Sequence, residues 1–351
     1  MLANIMSFLR RYRSAVFIVS AFAVWKMQLA AIARFAQIYV PARTGFLGPT
    51  PWSNFDGVHY LSIAERGYVQ FEQAFFPLYP LLVRSIARTL HITYITAGEF
   101  ISNICFLLAL GMFWKILMAL FEKRKDRFTL AAWSLMFMLF FPTSFYFAGV
   151  YTESIFMLFV LVAVYSLLKK KYGLYGLSAA LASGTRLIGA FFLVPIGLFA
   201  YMGYLYKSNG DPLLFIHAQP AFGANRTGGD IVILPQVFWR YAKIFYTVPP
   251  NHYDYWIALL EVAMLFYAFG MLWYAWKKDL PRKWIYYSLA AIIAPTLTGT
   301  LSSVPRYVLV AVPMYIAFAL LPKRLRVVLF IVNYALFIVL TVLFTRGYWV
   351  A

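Results

Sequence analysis

The residues best suited to chemistry lie together between two long apolar runs. Only 12 of the 351 residues are Asp or Glu. One short stretch nevertheless contains five ionisable residues: Asp56, His59, Glu65, Arg66 and Glu72. Ionisable groups beside a membrane are costly to keep there, so such a concentration points to a function. A carboxylate at such a place can act as a general base toward a hydroxyl group, and an arginine elsewhere in the fold can hold a phosphate.

The composition indicates the elements that position these residues. Hydrophobic residues make up 63% of the chain and charged residues only 12%, which excludes an ordinary soluble domain. The single cysteine, Cys105, lies in an apolar run and gives no disulfide framework. We therefore predict an all-α polytopic membrane protein, with residues 1–351 forming one integral membrane domain.

The strong positive charge reports topology and not nucleic-acid binding. The net charge is +19, but more than half of the 31 Lys and Arg residues fall in short clusters beside apolar runs. The clusters are Arg10–Arg13, Lys123–Arg127, Lys169–Lys171, Lys277–Lys283 and Lys323–Arg326. Cytoplasmic loops have this composition, and such clusters contact anionic membrane lipid. Membrane lipid is thus an expected partner, and nucleic acid is not.

Apolar runs of about 20 residues predict a bundle of about 9 to 11 spans. The predicted spans cover residues 14–40, 97–121, 128–147, 152–168, 255–276, 284–301, 306–321 and 327–345. The external loop 41–93 begins with turn residues such as Gly45 and continues with short helices at 57–66 and 77–90. A second external segment covers 207–254. The sequence leaves two alternatives open: residues 174–206 cross an odd net number of times, or residues 231–248 add a crossing.

Three motifs in the external loop resemble a known family. Phe55–Tyr60, Ile63–Tyr68 and Phe75–Pro80 resemble the first lumenal loop of the PIG-V family, the GPI mannosyltransferase 2 type of GT-C glycosyltransferases. The segment Gly210–Gln219 and the motif Pro305-Arg306-Tyr307 add to this resemblance. The family has Trp-Asp where this chain has Phe55-Asp56, so a hydrogen bond from that indole is lost.

The resemblance implies a fold and an activity. It implies a GT-C-like bundle that transfers a sugar, expected to be mannose, from a polyprenyl-phosphate donor with inversion. The acceptor would be a hydroxyl of a glycolipid, glycan or protein at the extracytoplasmic or lumenal face. The short chain favours a bacterial or archaeal plasma membrane over the endoplasmic reticulum.

Asp56, in the external loop, is the predicted general base, as in related enzymes with an acid in this loop. The alternative is that Asp56 only caps the helix that follows it. Arg306 and Arg186, each isolated in apolar sequence, are predicted to bind the lipid phosphate. The alternative for each arginine is a structural ion pair with Glu153 or another carboxylate.

Other polar residues receive weaker predictions. His59 follows Asp56 by three residues and would share its helix face; it could contact the sugar, orient Asp56 or simply pack. Glu153, Tyr79 and Gln219 are candidate sugar or acceptor contacts. Glu65 and Arg66 are expected to stabilise the loop through a charge network. The four histidines are scattered, so we expect neither a catalytic metal nor a cofactor.

Two other classes of function remain possible on the sequence alone. A transporter or lipid flippase would place polar groups at mid-membrane in paired broken helices. A non-catalytic scaffold would present the external loop to a partner enzyme. Assay with a polyprenyl-phosphate sugar separates them, because only an enzyme releases free polyprenyl phosphate.

Overall fold

The computed structural model describes residues 12–43 and 47–351, so the predictions on Arg10, Arg11 and Gly45 lie outside the described residues. The protein is 74% helical, and no strand occurs in the described ranges. The helices are α1 (Arg13–Tyr39), α2 (Asp56–Arg66), α3 (Leu78–Leu90), α4 (Tyr94–Leu120), α5 (Arg127–Leu139), α6 (Glu153–Leu168), α7 (Tyr172–Thr185), α8 (Ile196–Asn209), α9 (Leu214–His217), α10 (Leu234–Thr247), α11 (Tyr253–Lys277), α12 (Arg282–Thr296), α13 (Val304–Tyr307), α14 (Val312–Ala319) and α15 (Lys323–Thr345). This architecture confirms the predicted polytopic helix bundle.

Four helices are long and apolar enough to cross a membrane: α1, α4, α11 and α15. Their 23 to 27 residues extend about 35 to 40 Å at 1.5 Å per residue, more than the hydrocarbon core of about 30 Å. They coincide with four of the predicted spans.

Three of the other four predicted spans are interrupted, whereas the span predicted at 152–168 forms the continuous helix α6. The span predicted at 128–147 forms α5 and then irregular chain with a single 3-10 turn, Ser144–Phe147. The span predicted at 284–301 ends at Thr296, one residue after Pro295, and the span predicted at 306–321 is divided between α13, a 3-10 turn and α14. Prolines favour such breaks because they lack the backbone N–H of a helical hydrogen bond.

The irregular backbone is shielded from lipid by protein. Every residue from 137 to 157 is buried, as are residues 299–306 and 308–319. Non-helical chain inside a membrane is tolerated only where protein or a water-filled cavity covers its polar groups. The breaks therefore bring backbone and polar side chains into the interior of the bundle.

Residues 174–206 are divided among three successive elements. The chain rises in α7, folds back through a 3-10 turn (Leu187–Phe192) and continues in α8. Tyr175 Oη of α7 donates to Phe192 O, and Tyr201 Oη of α8 donates to Gln73 O in the loop beyond α2, at 2.7 Å. The stretch thus leads from the Lys169 end of α6 to the Asp56 side.

Helix α10 does not add a crossing. It runs beside the first half of α11, where Phe238 packs on Phe266 and Phe245 on Tyr255, with ring centroids 5.7 and 5.4 Å apart. Its 14 residues extend only about 21 Å. The short length of α10 favours the alternative in which residues 174–206 cross an odd net number of times.

The two short helices of the external loop are present, but a different residue stabilises them. Arg84 of α3 donates from Nε to Ala64 O at 2.6 Å and from Nη2 to Ile63 O at 2.7 Å, which satisfies carbonyls at the end of α2. The predicted network of Glu65 and Arg66 does not form: Arg66 bonds only to Ser62 of its own helix at 3.0 Å, and Glu65 makes no ion pair within the described residues.

Candidate active site

Asp56 is held at the first position of α2 by the residues that precede it. Phe55 has φ +56° and ψ −117°, a rare conformation for a residue with a side chain. Asn54 fixes this turn: its Nδ2 donates to Phe344 O at 2.8 Å, and its carbonyl accepts from Tyr151 Oη at 2.6 Å. Such strain persists only where surrounding contacts impose it, and it is frequent at functional sites.

Arg306 is presented by α13 in a comparable way. Ser303, immediately before this four-residue helix, is left-handed at φ +70°. The Pro305 carbonyl accepts a hydrogen bond from Thr143 Oγ1 at 2.6 Å, which ties α13 to the irregular chain after α5. The guanidinium lies 4.9 Å from the ring centroids of both Tyr146 and Tyr151, in cation–π contact with each.

Four residues from distant parts of the chain form one connected set of ion pairs, which we call the charge network: Asp56, Glu153, Arg186 and Arg306. Arg306 Nη1 donates to Asp56 Oδ2 at 2.6 Å, while its Nε and Nη2 donate to Glu153 Oε1 at 3.0 and 2.9 Å. Arg186 Nη1 donates to the same Glu153 oxygen at 2.9 Å. Glu153, at the start of the span predicted at 152–168, therefore lies on the Asp56 side of the bundle.

Exposure differs across the charge network. The Glu153 and Arg306 side chains are 0% and 5% exposed, whereas that of Asp56 is 23% exposed. Asp56 Oδ1 makes no hydrogen bond to protein within the described residues. Asp56 is therefore the most exposed member of the charge network, while Glu153 and Arg306 stay covered.

The electrostatics keep Asp56 ionised. Burial alone would raise the pKa of this carboxyl group, but the charge and hydrogen bond of Arg306 outweigh burial and lower the pKa below its ordinary value. The alternative role as a helix cap finds no support, because the carboxylate bonds to Arg306, and the cap residue of α2 is Phe55.

His59 lies beside Asp56 but bonds to another acid. Its Nδ1 is 3.3 Å from Glu72 Oε1, and its ring stacks on Phe75 with centroids 5.0 Å apart. Burial would raise the pKa of Glu72, yet the hydrogen bond with His59 contributes to lowering it. Phe222 of the second external segment packs edge-on against the histidine at 5.3 Å. His59 thus joins the external loop to that segment.

Two predicted substrate contacts lie elsewhere. Tyr79 is completely buried, and its hydroxyl bonds to Gly98 O at 3.0 Å and to Ser102 Oγ at 2.9 Å, so it belongs to the core and the predicted sugar contact is wrong. Gln219 donates from Nε2 to Phe215 O at 3.2 Å within its own segment. Gln219 makes no hydrogen bond to the charge network.

The structure reveals two polar residues that sequence reasoning missed. Glu261 is 4% exposed inside the apolar helix α11 and accepts a hydrogen bond from Tyr241 Oη. Its position in an apolar run was a usable signal, because intramembrane acids mark functional sites. Arg226 donates from Nη2 to Ser303 Oγ at 3.4 Å. The glycine-rich sequence around Arg226 gives no signal that predicts this contact with Ser303.

No group of three or more His, Cys, Asp or Glu side chains suited to a metal ion occurs in the part of the chain that is described. The ionisable residues of the site are instead arranged as arginine–carboxylate pairs. Such pairs can hold a carboxylate ionised and place fixed positive charge beside it.

The fold and site define a multi-pass membrane protein with a partly exposed carboxylate beside one buried and one half-buried arginine. Residues 38–210 match the family model described as mannosyltransferase (PIG-V). This match, over just under half of the chain, is to the PIG-V-like mannosyltransferase family; it confirms the resemblance drawn from the loop motifs and supports glycosyltransferase activity. No curated protein and no solved structure matches the chain. The matched residues include Asp56, Glu153 and Arg186, whereas Arg306 lies beyond them.

Proposed function

We propose that the protein transfers a mannosyl residue from a polyprenyl-phosphate donor to an acceptor hydroxyl, with inversion at the anomeric carbon. In this proposal the protein is a membrane glycosyltransferase of the GT-C class. The observation that carries it is an ionised, partly exposed Asp56, bonded to Arg306 through Oδ2 and with no protein hydrogen bond at Oδ1 within the described residues. The family match to the same residues supports the choice of mannose.

In the proposed reaction, Asp56 Oδ1 takes the proton of the acceptor hydroxyl as its oxygen attacks the anomeric carbon. The new bond forms on the face opposite the donor phosphate. The bond between the anomeric carbon and the phosphate oxygen breaks, and free polyprenyl phosphate leaves with the electron pair. One base is sufficient for such a single displacement, because no covalent glycosyl-enzyme forms.

The two arginines take different roles in this mechanism. Arg306 uses Nε, Nη1 and Nη2 in bonds to Asp56 and Glu153 and is 4% exposed, so it acts as a positioning residue. Arg186 bonds to protein through Nη1 alone within the described residues and leaves Nε and Nη2 for the phosphate. Geometry therefore favours Arg186 over Arg306 as the phosphate contact.

The side of the membrane follows from the basic clusters. Helix α6 starts at Glu153 in the site and ends beside Lys169–Lys171. Because basic loops stay in the cytoplasm, we place the site at the outer face, in a bacterial or archaeal plasma membrane. The acceptor would be a glycolipid, glycan or protein, and the proposed chemistry uses neither a cofactor nor a metal.

The Asp56→Asn variant tests the proposal. Purified protein in nanodiscs would receive polyprenyl-phosphate mannose, labelled in the sugar, with a total membrane extract as the source of acceptor. General-base catalysis contributes about 10² to 10⁴ in rate, so the variant should release free polyprenyl phosphate at least about a hundredfold more slowly. Asp126→Asn, which changes an exposed carboxylate at the opposite end of the bundle, is the matched control and should retain full turnover.

Near wild-type turnover by folded Asp56→Asn protein would refute the role of Asp56. A wild-type protein that moves the donor lipid across the bilayer, or binds it without releasing polyprenyl phosphate, would instead favour the transporter or scaffold. Thermal unfolding of both variants checks that each is folded.

A further inference from the structure

The charge network has no surplus positive charge for an incoming phosphate. It contains two carboxylates and two guanidinium groups joined by hydrogen bonds of 2.6 to 3.0 Å. The proposed donor carries a negative phosphate, and more negative charge develops on that phosphate as the sugar leaves. Catalysis of such a departure requires fixed positive charge aimed at the leaving group. A further cation is therefore needed at the site.

Arg226 is a cation of this kind. Its side chain makes no ion pair with a carboxylate in the described ranges, and the one hydrogen bond of its guanidinium group there is the 3.4 Å contact of Nη2 with Ser303 Oγ. Ser303 immediately precedes α13, the helix carrying Arg306. Arg226 also lies near enough to Asp56 for its positive charge to stabilise that carboxylate.

Other arginines on this side have structural partners. Arg84 caps the end of α2, Arg240 donates to Gly299 O at 2.9 Å, and Arg43 lies over the ring of Tyr253 at 5.2 Å. Arg226 differs because the residue is half-buried and its guanidinium group makes a single long hydrogen bond within the described residues. It is thus free to meet an anionic ligand.

The segment that carries Arg226 is anchored on both sides of the site. On one side, Phe222 packs on His59 and on Phe75, with centroids 5.3 and 5.0 Å apart. On the other side, Thr227 N donates to Thr298 O at 2.9 Å and Val232 N donates to Leu297 O at 2.8 Å. Residues 218–233 therefore bridge from α2 to the chain that leads into α13, with Arg226 between these anchors.

We propose that Arg226 binds the phosphate of the polyprenyl donor and stabilises the charge that develops when polyprenyl phosphate leaves. This inference rests on the proposed transferase function and adds a residue outside the family-matched region 38–210. A guanidinium group suits this role because it keeps its charge in a dry site and pairs with two phosphate oxygens at once. Arg186 approaches from Glu153, and Arg226 approaches from the second external segment.

The test uses the reaction product as the probe. Binding of polyprenyl phosphate to the full-length protein would be measured in nanodiscs of zwitterionic lipid, by tryptophan fluorescence or thermal shift. A hydrogen bond to a charged group is worth enough that Arg226→Gln should weaken binding by about tenfold or more. Arg226→Lys keeps the charge and loses bidentate pairing, so it should lose less. Lys243→Gln removes the same charge from the exposed face of α10 and should bind as the wild type does.

The outcomes separate this inference from the function on which it rests. If wild-type protein transfers mannose and Arg226→Gln binds polyprenyl phosphate unchanged, the assignment of Arg226 fails and the transferase proposal stands. If Arg226→Gln binds polyprenyl phosphate less tightly than the wild type does, but the wild type never transfers sugar, Arg226 remains a phosphate ligand and the transferase proposal fails. A wild type that does not bind polyprenyl phosphate overturns the role of Arg226.

A control lipid and a second variant complete the experiment. Phosphatidic acid offers the same phosphate chemistry from a bulk lipid; equal binding, with an equal loss in Arg226→Gln, would overturn the assignment to the sugar donor. If Arg226→Gln does not fold, Arg226→Lys decides: weaker binding supports the proposal, and unchanged binding contradicts it. An unchanged unfolding midpoint without ligand shows that the effect is on binding and not on the anchoring of the segment.

Discussion

Arg306 and Arg124 make ion pairs of similar length at opposite ends of the bundle, yet the two pairs differ in almost every other respect. Arg124 Nε lies 2.9 Å from the carboxylate of Asp126, two residues along the chain, and both side chains are about half exposed at 51% and 50%. Arg306 bonds to acids 250 and 153 residues away and is 5% exposed. Solvent screens the first pair, whereas the fold removes the second from water.

The backbone around the two pairs shows the same contrast. At the Lys169 and Asp279 turns, left-handed residues lie in exposed connections at the ends of regular helices, where such conformations are common. At the site, Phe55 and the chain before Arg306 are buried or half-buried and held by side-chain hydrogen bonds from Tyr151 and Thr143. The end of the bundle that carries the basic clusters indicates the topology. At the other end, interrupted helices bring the residues of the site together.

The largest expected effect in this comparison belongs to Glu153→Gln. Removing this charge leaves Arg186 without a bonded acid and Arg306 with Asp56 alone. Positive charge in the interior is then uncompensated. Breaking a buried pair in this way costs about 3 to 5 kcal/mol in the free energy of unfolding. Thermal or chemical unfolding in detergent measures it.

The double variant Glu153→Gln/Arg186→Gln sharpens that result. It removes one positive charge together with the negative one and should recover part of the lost stability, giving a clear coupling between the two positions. Additive losses would show that the two residues do not act as a pair. A single variant as stable as wild type would contradict the buried character of the charge network.

Much of this contrast could be predicted from the sequence, and the reasons are local. The helices α2 and α3, the placement of Asp56 and the shared side of Glu153 follow from turn residues, helical spacing and basic clusters. The pairing of Arg306 and Arg186 with Glu153 was an alternative that the sequence allowed, since a buried arginine requires an acid.

Other features depend on tertiary placement that no local pattern encodes. Hydropathy averages over a window and does not register that 306–321 is divided into three short elements. Arg226 approaches the site only because Phe222 and Thr227 anchor its segment to distant chain. Arg84 caps α2 by reaching 20 residues back along the chain.

A smaller effect concerns the pH dependence of stability. The pKa of Asp56 is held below its ordinary value of 3.8 because Arg306 outweighs the effect of burial. Its contribution to stability is therefore complete above about pH 4 and is lost as the pH falls through the lower folded pKa. The difference in unfolding midpoint between wild type and Asp56→Asn should be constant from pH 7 to about pH 4 and narrow below that. A difference that shrinks already between pH 7 and 5 would mean that Asp56 does not have a lowered pKa.

The smallest effect is expected for Asp126→Asn, because this pair is open to water. Arg124 lowers the pKa of Asp126 through its hydrogen bond, but an exposed pair contributes less than about 1 kcal/mol after screening and side-chain entropy are counted. The unfolding midpoint should barely move, and raising the salt concentration should remove what difference there is. Glu153→Gln should keep its effect at high salt, since buried charges are screened little. Equal salt dependence of the two variants would abolish the distinction between the two ends of the bundle, because it would mean that water reaches Arg306 as freely as it reaches Arg124.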